Sequence, residues 1–130
     1  MVEEAEVAGM NDDFDKHVSV LYKGQIHEVR QTVEFHDWLA SLRDLRGRAR
    51  IFDRLLRVAD GNFGDAKSVG EGVEELRMHF GPGYRVYFKR QGSAIVLLLA
   101  GGDKSGQRRD LAKAIELVKR EEYGAENDDL

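Results

Sequence analysis

The 130-residue chain contains no cysteine. Disulfides and zinc–thiolate sites are therefore excluded, which suits a reducing compartment, and a cytoplasmic location is the expectation. No apolar run approaches the roughly 18 residues of a membrane span, so no membrane partner is expected. The acidic N-terminus lacks an apolar core segment, so it does not read as a signal peptide. The four histidines, His17, His27, His36 and His79, never fall at helical ligand spacing, and neither a metal nor a cofactor is expected. No G-x-S-x-G nucleophile motif occurs. "LLLAGGDKSGQRRD" has the strand, glycines and helix of a phosphate loop, but Asp103 stands where GxxxxGK[ST] needs glycine, so nucleotide hydrolysis is rejected. Lys104, Arg108 and Arg109 still gather where a helix N-terminus favours an anion.

The charge that is present is divided. Residues 1–27 carry a net −4, residues 28–120 a net +5 and residues 121–130 a net −5. A basic body between two acidic ends attracts polyanions, and the ends either keep the protein soluble or fold over the basic surface. The length fits one domain, which buries roughly two-thirds of its unfolded surface and folds without staples. The expected organisation is an acidic extension over 1–25, partly disordered and with room for an extra strand, a folded domain over 26–120, and an acidic tail over 121–130.

Periodicity predicts the elements. A strand over 26–31 is preceded by an alternating Val18, Val20, Tyr22, which with Lys23-Gly24 forms a candidate hairpin. Thr32 is a plausible cap for a helix whose Phe35, Trp38, Leu39 and Leu42 make one apolar stripe. A second helix over 48–60 buries Ile51, Phe52, Leu55, Val58 and Ala59 and stops at Gly61. "NFGDAKSVGEG" reads as loop. Strands follow over 73–80 and 84–90, joined by Gly81-Pro82-Gly83, then a fully apolar strand at "SAIVLLLA" and a last helix with Leu111, Ala114, Ile115 and Val118 on one side. The predicted class is α+β: an N-terminal strand, a two-helix hairpin, a three-stranded antiparallel meander and a C-terminal helix, with the helices on one face of the sheet.

Alternation assigns Leu76, Met78, Phe80, Tyr84, Val86 and Phe88 to the core face. Arg77, His79, Arg85, Tyr87 and Lys89 fall on the other, toward water or a ligand. Cross-strand cations about 5 Å apart repel unless an anion sits among them. Glu75, on the same face, is one candidate anion and a phosphate backbone is the other. A solvated strand face and a phosphate platform are thus both open at this level.

Three stretches, "VRQTVEFHDWLASLRD", "GNFGDAKSVGEGVEELRMHFGPGYRVYF" and "VLLLAGGDKSGQRRDLAKA", resemble the RelE/ParE toxin superfamily, nearest to its HigB-like addiction-module killer branch. The resemblance covers about residues 28–120. It implies a RelE-like fold and a toxin of a type II toxin–antitoxin system, silenced by a cognate antitoxin, usually of helix-turn-helix type. It implies an mRNA interferase: an endoribonuclease that cleaves messenger RNA on the ribosome and inhibits translation. Carried over by motif, Arg77 and Arg85 match basic sheet positions, His79 beside them is the candidate general base, and Lys104 matches the basic residue after the last strand. Tyr87, Lys89, Arg108 and Arg109 are the candidate RNA- and phosphate-binding residues. Asp110 departs from the tyrosine of RelE, and Glu75 from its lysine, and both changes weaken the case for cleavage. Two alternatives stand beside it: a ParE-like inhibitor of DNA gyrase, and a non-toxic RNA- or protein-binding module of the same fold.

Overall fold

The computed structural model describes residues 17–128, with side chains through Tyr123. Residues 1–16 of the acidic extension expected over 1–25, and the last two residues of the acidic tail, lie outside the described residues. In chain order the elements are β1 (Val18–Lys23), β2 (Glu28–Thr32), α1 (Val33–Ser41), α2 (Leu45–Ala59), β3 (Ala66–Gly70), β4 (Val73–Arg77), β5 (Tyr84–Gln91), β6 (Ile95–Asp103) and α3 (Gln107–Asp128). The architecture is α+β, and the described residues form three helices on a six-stranded mixed sheet of order β1-β2-β6-β5-β4-β3.

The first part of the chain follows its local signals. β1 and β2 form the hairpin, closed by Gly24 N–H donating to the His27 carbonyl at 2.9 Å. The second strand starts two residues later than expected, because Ile26 and His27 both donate their N–H groups to the Ala59 carbonyl at the end of α2. Thr32 caps α1: its Oγ1 accepts from Phe35 N–H at 3.0 Å and donates to the Leu99 carbonyl on β6 at 2.7 Å. Asp44 caps α2 through Gly47 N–H, which starts that helix three residues before the expected residue 48. Gly61, at φ 94, ends it as expected. Thr32→Ala removes a cap and a buried inter-element bond together, so urea denaturation should show a loss of about 1–2 kcal/mol, and Thr32→Ser should recover most of it.

Two expectations are corrected. The loop expected over 62–72 contains an edge strand, β3, paired antiparallel with β4 and turned by Gly70, Glu71 and Gly72, all at positive φ. The meander therefore has four strands. The helices also do not share one face. α1 and α2 bury Phe35, Ile51, Leu55 and Val58 against Leu76, Val86, Phe88, Val96 and Leu98. α3 covers the opposite face, with Ala114, Leu117 and Val118 against Val73, Tyr87, Leu97 and Leu99. The expected core side is right, but the side expected to meet water is a second core. β6 is apolar from Ile95 to Ala100 because it lies between both layers and pairs parallel with β2 and antiparallel with β5.

The Gly101-Gly102 pair was expected in a loop and lies at the end of β6 instead. A β-carbon on Gly101 would run into the Trp38 ring of α1, and one on Gly102 into the Asp110 carboxylate of α3. The two glycines face opposite sides, and each lets one helix approach the backbone. α3 also continues to Asp128, so most of the expected acidic tail is its last turns. Arg120 on that helix holds Glu34 of α1 through both guanidinium nitrogens, at 2.7 and 3.1 Å. Among the described residues no helix is long and apolar enough to cross a membrane.

Candidate functional site

Glu75 is the centre of the polar face. It lies opposite Tyr87 in the β4–β5 register, and Arg77 lies opposite Arg85. The Glu75 side chain is almost fully buried. It accepts from the Tyr87 hydroxyl at 3.0 Å, from Gln107 Nε2 at 2.9 Å and from Arg77 Nε at 3.3 Å, with Arg85 Nε 3.9 Å away. Burial pushes its carboxyl upward, but the three hydrogen bonds and the Arg85 charge outweigh this and hold it below the ordinary carboxylate range. Burial, then the bond to Glu75, pushes the Tyr87 phenol well above its ordinary range. The anion that this cluster of cations requires is therefore, in part, a protein carboxylate.

The face is consequently not open along its length. Tyr87 is 1% exposed, so its ring is closed to an incoming base, contrary to its expected exposure. Arg85 is buried too, and one of its terminal nitrogens donates to the carbonyls of Met78, Gly83 and Tyr84. Those bonds fasten the Gly81-Pro82-Gly83 turn, so Arg85 holds the sheet end together. Lys89 sits at the far end of β5, 3.7 Å from Glu122 of α3. His79 lies beyond the end of β4, which stops at Arg77 instead of reaching Phe80. Its Nε2 is 2.6 Å from Asp65 Oδ2, and it opens toward α2 rather than toward Glu75.

The open part of the face is a cleft of about 340 Å³ between β3, β4 and the start of α3. Lys67, Arg77 and Arg108 line it with Val69, Gln107 and Leu111, and Glu75 forms its base. Lys67 stands directly opposite Glu75 in the β3–β4 register. Lys67 and Gln107 were not anticipated. Lys67 was hidden by the loop reading of its strand, and Gln107 carries no charge to draw notice. Lys104 lies on the short 3₁₀ turn before α3, its methylenes against Gly83. Arg109 is exposed and bonded to its neighbour Asp110. Asp110 keeps one buried oxygen without a hydrogen-bond partner, beside Gly102.

Arg77 and Arg85 thus flank one ionised carboxylate, and Lys67 and Arg108 line the cleft above it. The excess positive charge at the mouth, beside the N-terminal end of a long helix, suits an anion with several oxygens. Such an arrangement can hold a phosphate and offset charge that develops on it. Among the described residues no group of three or more His, Cys, Asp or Glu side chains could hold a metal ion.

The chain is 48% identical over 87 residues to an uncharacterized protein of Haemophilus influenzae, a match that spans 67% of this chain and 88% of that one. It belongs to the same family as that protein. No family model matches the chain. No solved structure matches it either.

Proposed function

We propose that this chain is the toxin of a type II toxin–antitoxin pair, of the RelE/ParE superfamily and RelE-like in fold, and that it cleaves messenger RNA on the ribosome. The observation that carries this reading is the cleft where Lys67, Arg77 and Arg108 converge above Glu75. A phosphodiester seated there gains charge-assisted bonds that strengthen as negative charge builds on its oxygens. In the cleavage step the ribose 2′-oxygen loses its proton and bonds to phosphorus, the bond to the 5′-oxygen breaks, and that oxygen takes up a proton, which leaves a 2′,3′-cyclic phosphate and a 5′-hydroxyl. The cleft supplies charge stabilisation and positioning. Glu75, held ionised and triply hydrogen-bonded, acts as counter-ion to the arginines rather than as the base. The proposed partners are the ribosome with its mRNA and a cognate antitoxin.

The test is a purified translation system with primer extension on the message. The full chain should give discrete cuts that require ribosomes. Arg77→Ala with Arg108→Ala should reduce cutting about 100-fold or more, the scale of losing preorganised charge at a phosphate. Both side chains are at least partly exposed, so folding should survive. Arg85→Ala is a poor probe, because it also unfastens the 81–83 turn. Intact mRNA in cells that nevertheless die with DNA damage would replace this reading with gyrase inhibition. Intact mRNA without killing would leave a binding module.

A further inference from the structure

We infer that the solvent face of α2, on the side of the sheet opposite the cleft, is a second RNA-binding surface, which docks an unpaired strand where α2 meets the end of β4. This rests on the RNA reading above and extends it to residues outside the cleft. α2 and its approach carry Arg43, Arg46, Arg48, Arg50, Arg54 and Arg57. Two have structural employment. Arg48 donates to the Leu42 carbonyl, and Arg54 to the carbonyls of Arg77, Phe63 and Asp65. Arg43, Arg46, Arg50 and Arg57 form no ion pair among the described residues.

Arg46, Arg50 and Arg57 recur at helical spacing, so they share a side of the helix. At 1.5 Å of rise per residue they span roughly 16 Å. That length follows several phosphates of a strand and exceeds one free anion. Between α2 and the end of β4 lies a pocket of about 230 Å³. Arg50, Arg54, Arg57 and His79 line it, with Asp53 as its carboxylate and Phe80 as its aromatic wall. The Arg50 guanidinium rests over the Phe80 ring, 3.9 Å from its centre. A flat cation on a flat ring is a surface on which an unpaired base stacks while its phosphate meets the next arginine. The His79 side chain is 69% exposed and tied to Asp65 through Nε2, which leaves Nδ1 directed away from that bond. His79 is thereby assigned to binding here, rather than to the Glu75 cleft.

The experiment uses the full chain and a short fluorescein-labelled single-stranded RNA, followed by anisotropy across a salt series. Arg50→Gln with Arg57→Gln should weaken binding about tenfold and flatten the plot of log affinity against log salt by about 1.4, since each neutralised phosphate of a single strand contributes about 0.7. Thermal unfolding of this variant should stay close to the parent, because the contact it gives up is the solvent-facing stack of Arg50 on Phe80. Unchanged affinity and slope would overturn the inference, even if the cleft variant abolished cleavage. Equal losses on a DNA duplex would overturn the assignment to an unpaired RNA strand. Weakened RNA binding in a chain that proves unable to cut mRNA would support the surface while the cleavage reading failed.

Discussion

Glu75→Leu should destabilise the protein by about 3–5 kcal/mol, the effect of removing one member of a buried charged cluster. The loss comes less from missing attraction than from what remains: the buried Arg85 guanidinium and Tyr87 hydroxyl, both facing a hydrocarbon side chain. Tyr87→Phe removes a single donor and leaves Glu75 two others, so about 1 kcal/mol is expected. Urea denaturation of both variants measures the contrast, and a Glu75→Leu loss no larger than that of Tyr87→Phe would show that the carboxylate is not the centre of the cluster. The same group sets a pH dependence. Its folded-state pKa is depressed below the reference value of 4.5, so its contribution is fully present above that value. It is lost as pH falls below 4.5 and through the depressed folded-state value, when the folded carboxyl takes up its proton. Glu75→Leu should therefore flatten stability against pH on the acid side.

Gly101→Ala should cost about 1–3 kcal/mol, and Gly101→Val should prevent stable folding. The new β-carbon meets the Trp38 ring, which is itself packed against Phe35 and Tyr84 and has little room to turn. Either α1 lifts from the sheet or β6 bends. Trimming the opposing ring tests the cause. In a double-mutant cycle Trp38→Leu with Gly101→Ala should lose less than the two single changes added together. Additive losses would place the strain elsewhere in β6.

Much of the α1–α2 side was legible because its signals are local. Thr32, the stripe at 35, 38, 39 and 42, and Gly61 each state their role within one or two helical turns. The apolar half of β4 and β5 was likewise plain. The polar half misled, for a physical reason. Alternation reports which residues share a face, but a face of paired charges looks the same whether water or a helix covers it. Tyr87 donates to Glu75, and Arg85 lies within ion-pair reach of the same carboxylate, so Tyr87 passes beneath α3, a contact that no short window of sequence contains. β3 was hidden because a five-residue edge strand that ends in a glycine, carries a bulge and lies between Gly64 and Gly72 has turn composition. His79 was grouped with Arg77 by parity alone, and the end of β4 at Arg77 separates them. Lys67, from the unrecognised strand, takes the place in the cleft that His79 was expected to fill.

The parallel pairing of β2 with β6 has a consequence for when the protein can assemble. β3 to β6 are joined by short turns, so their ladders close small loops. The β2–β6 seam instead joins distant parts of the chain, and the Thr32–Leu99 bond across it spans 67 residues. Closing such a loop carries a larger entropy loss and slows folding. The N-terminal hairpin and both of its helices emerge first during synthesis, yet their partner strand is in the last third of the chain. The cleft waits longer still, because Gln107 and Arg108 follow β6. A nascent chain therefore holds its arginines for most of its synthesis without the finished cleft that would organise them.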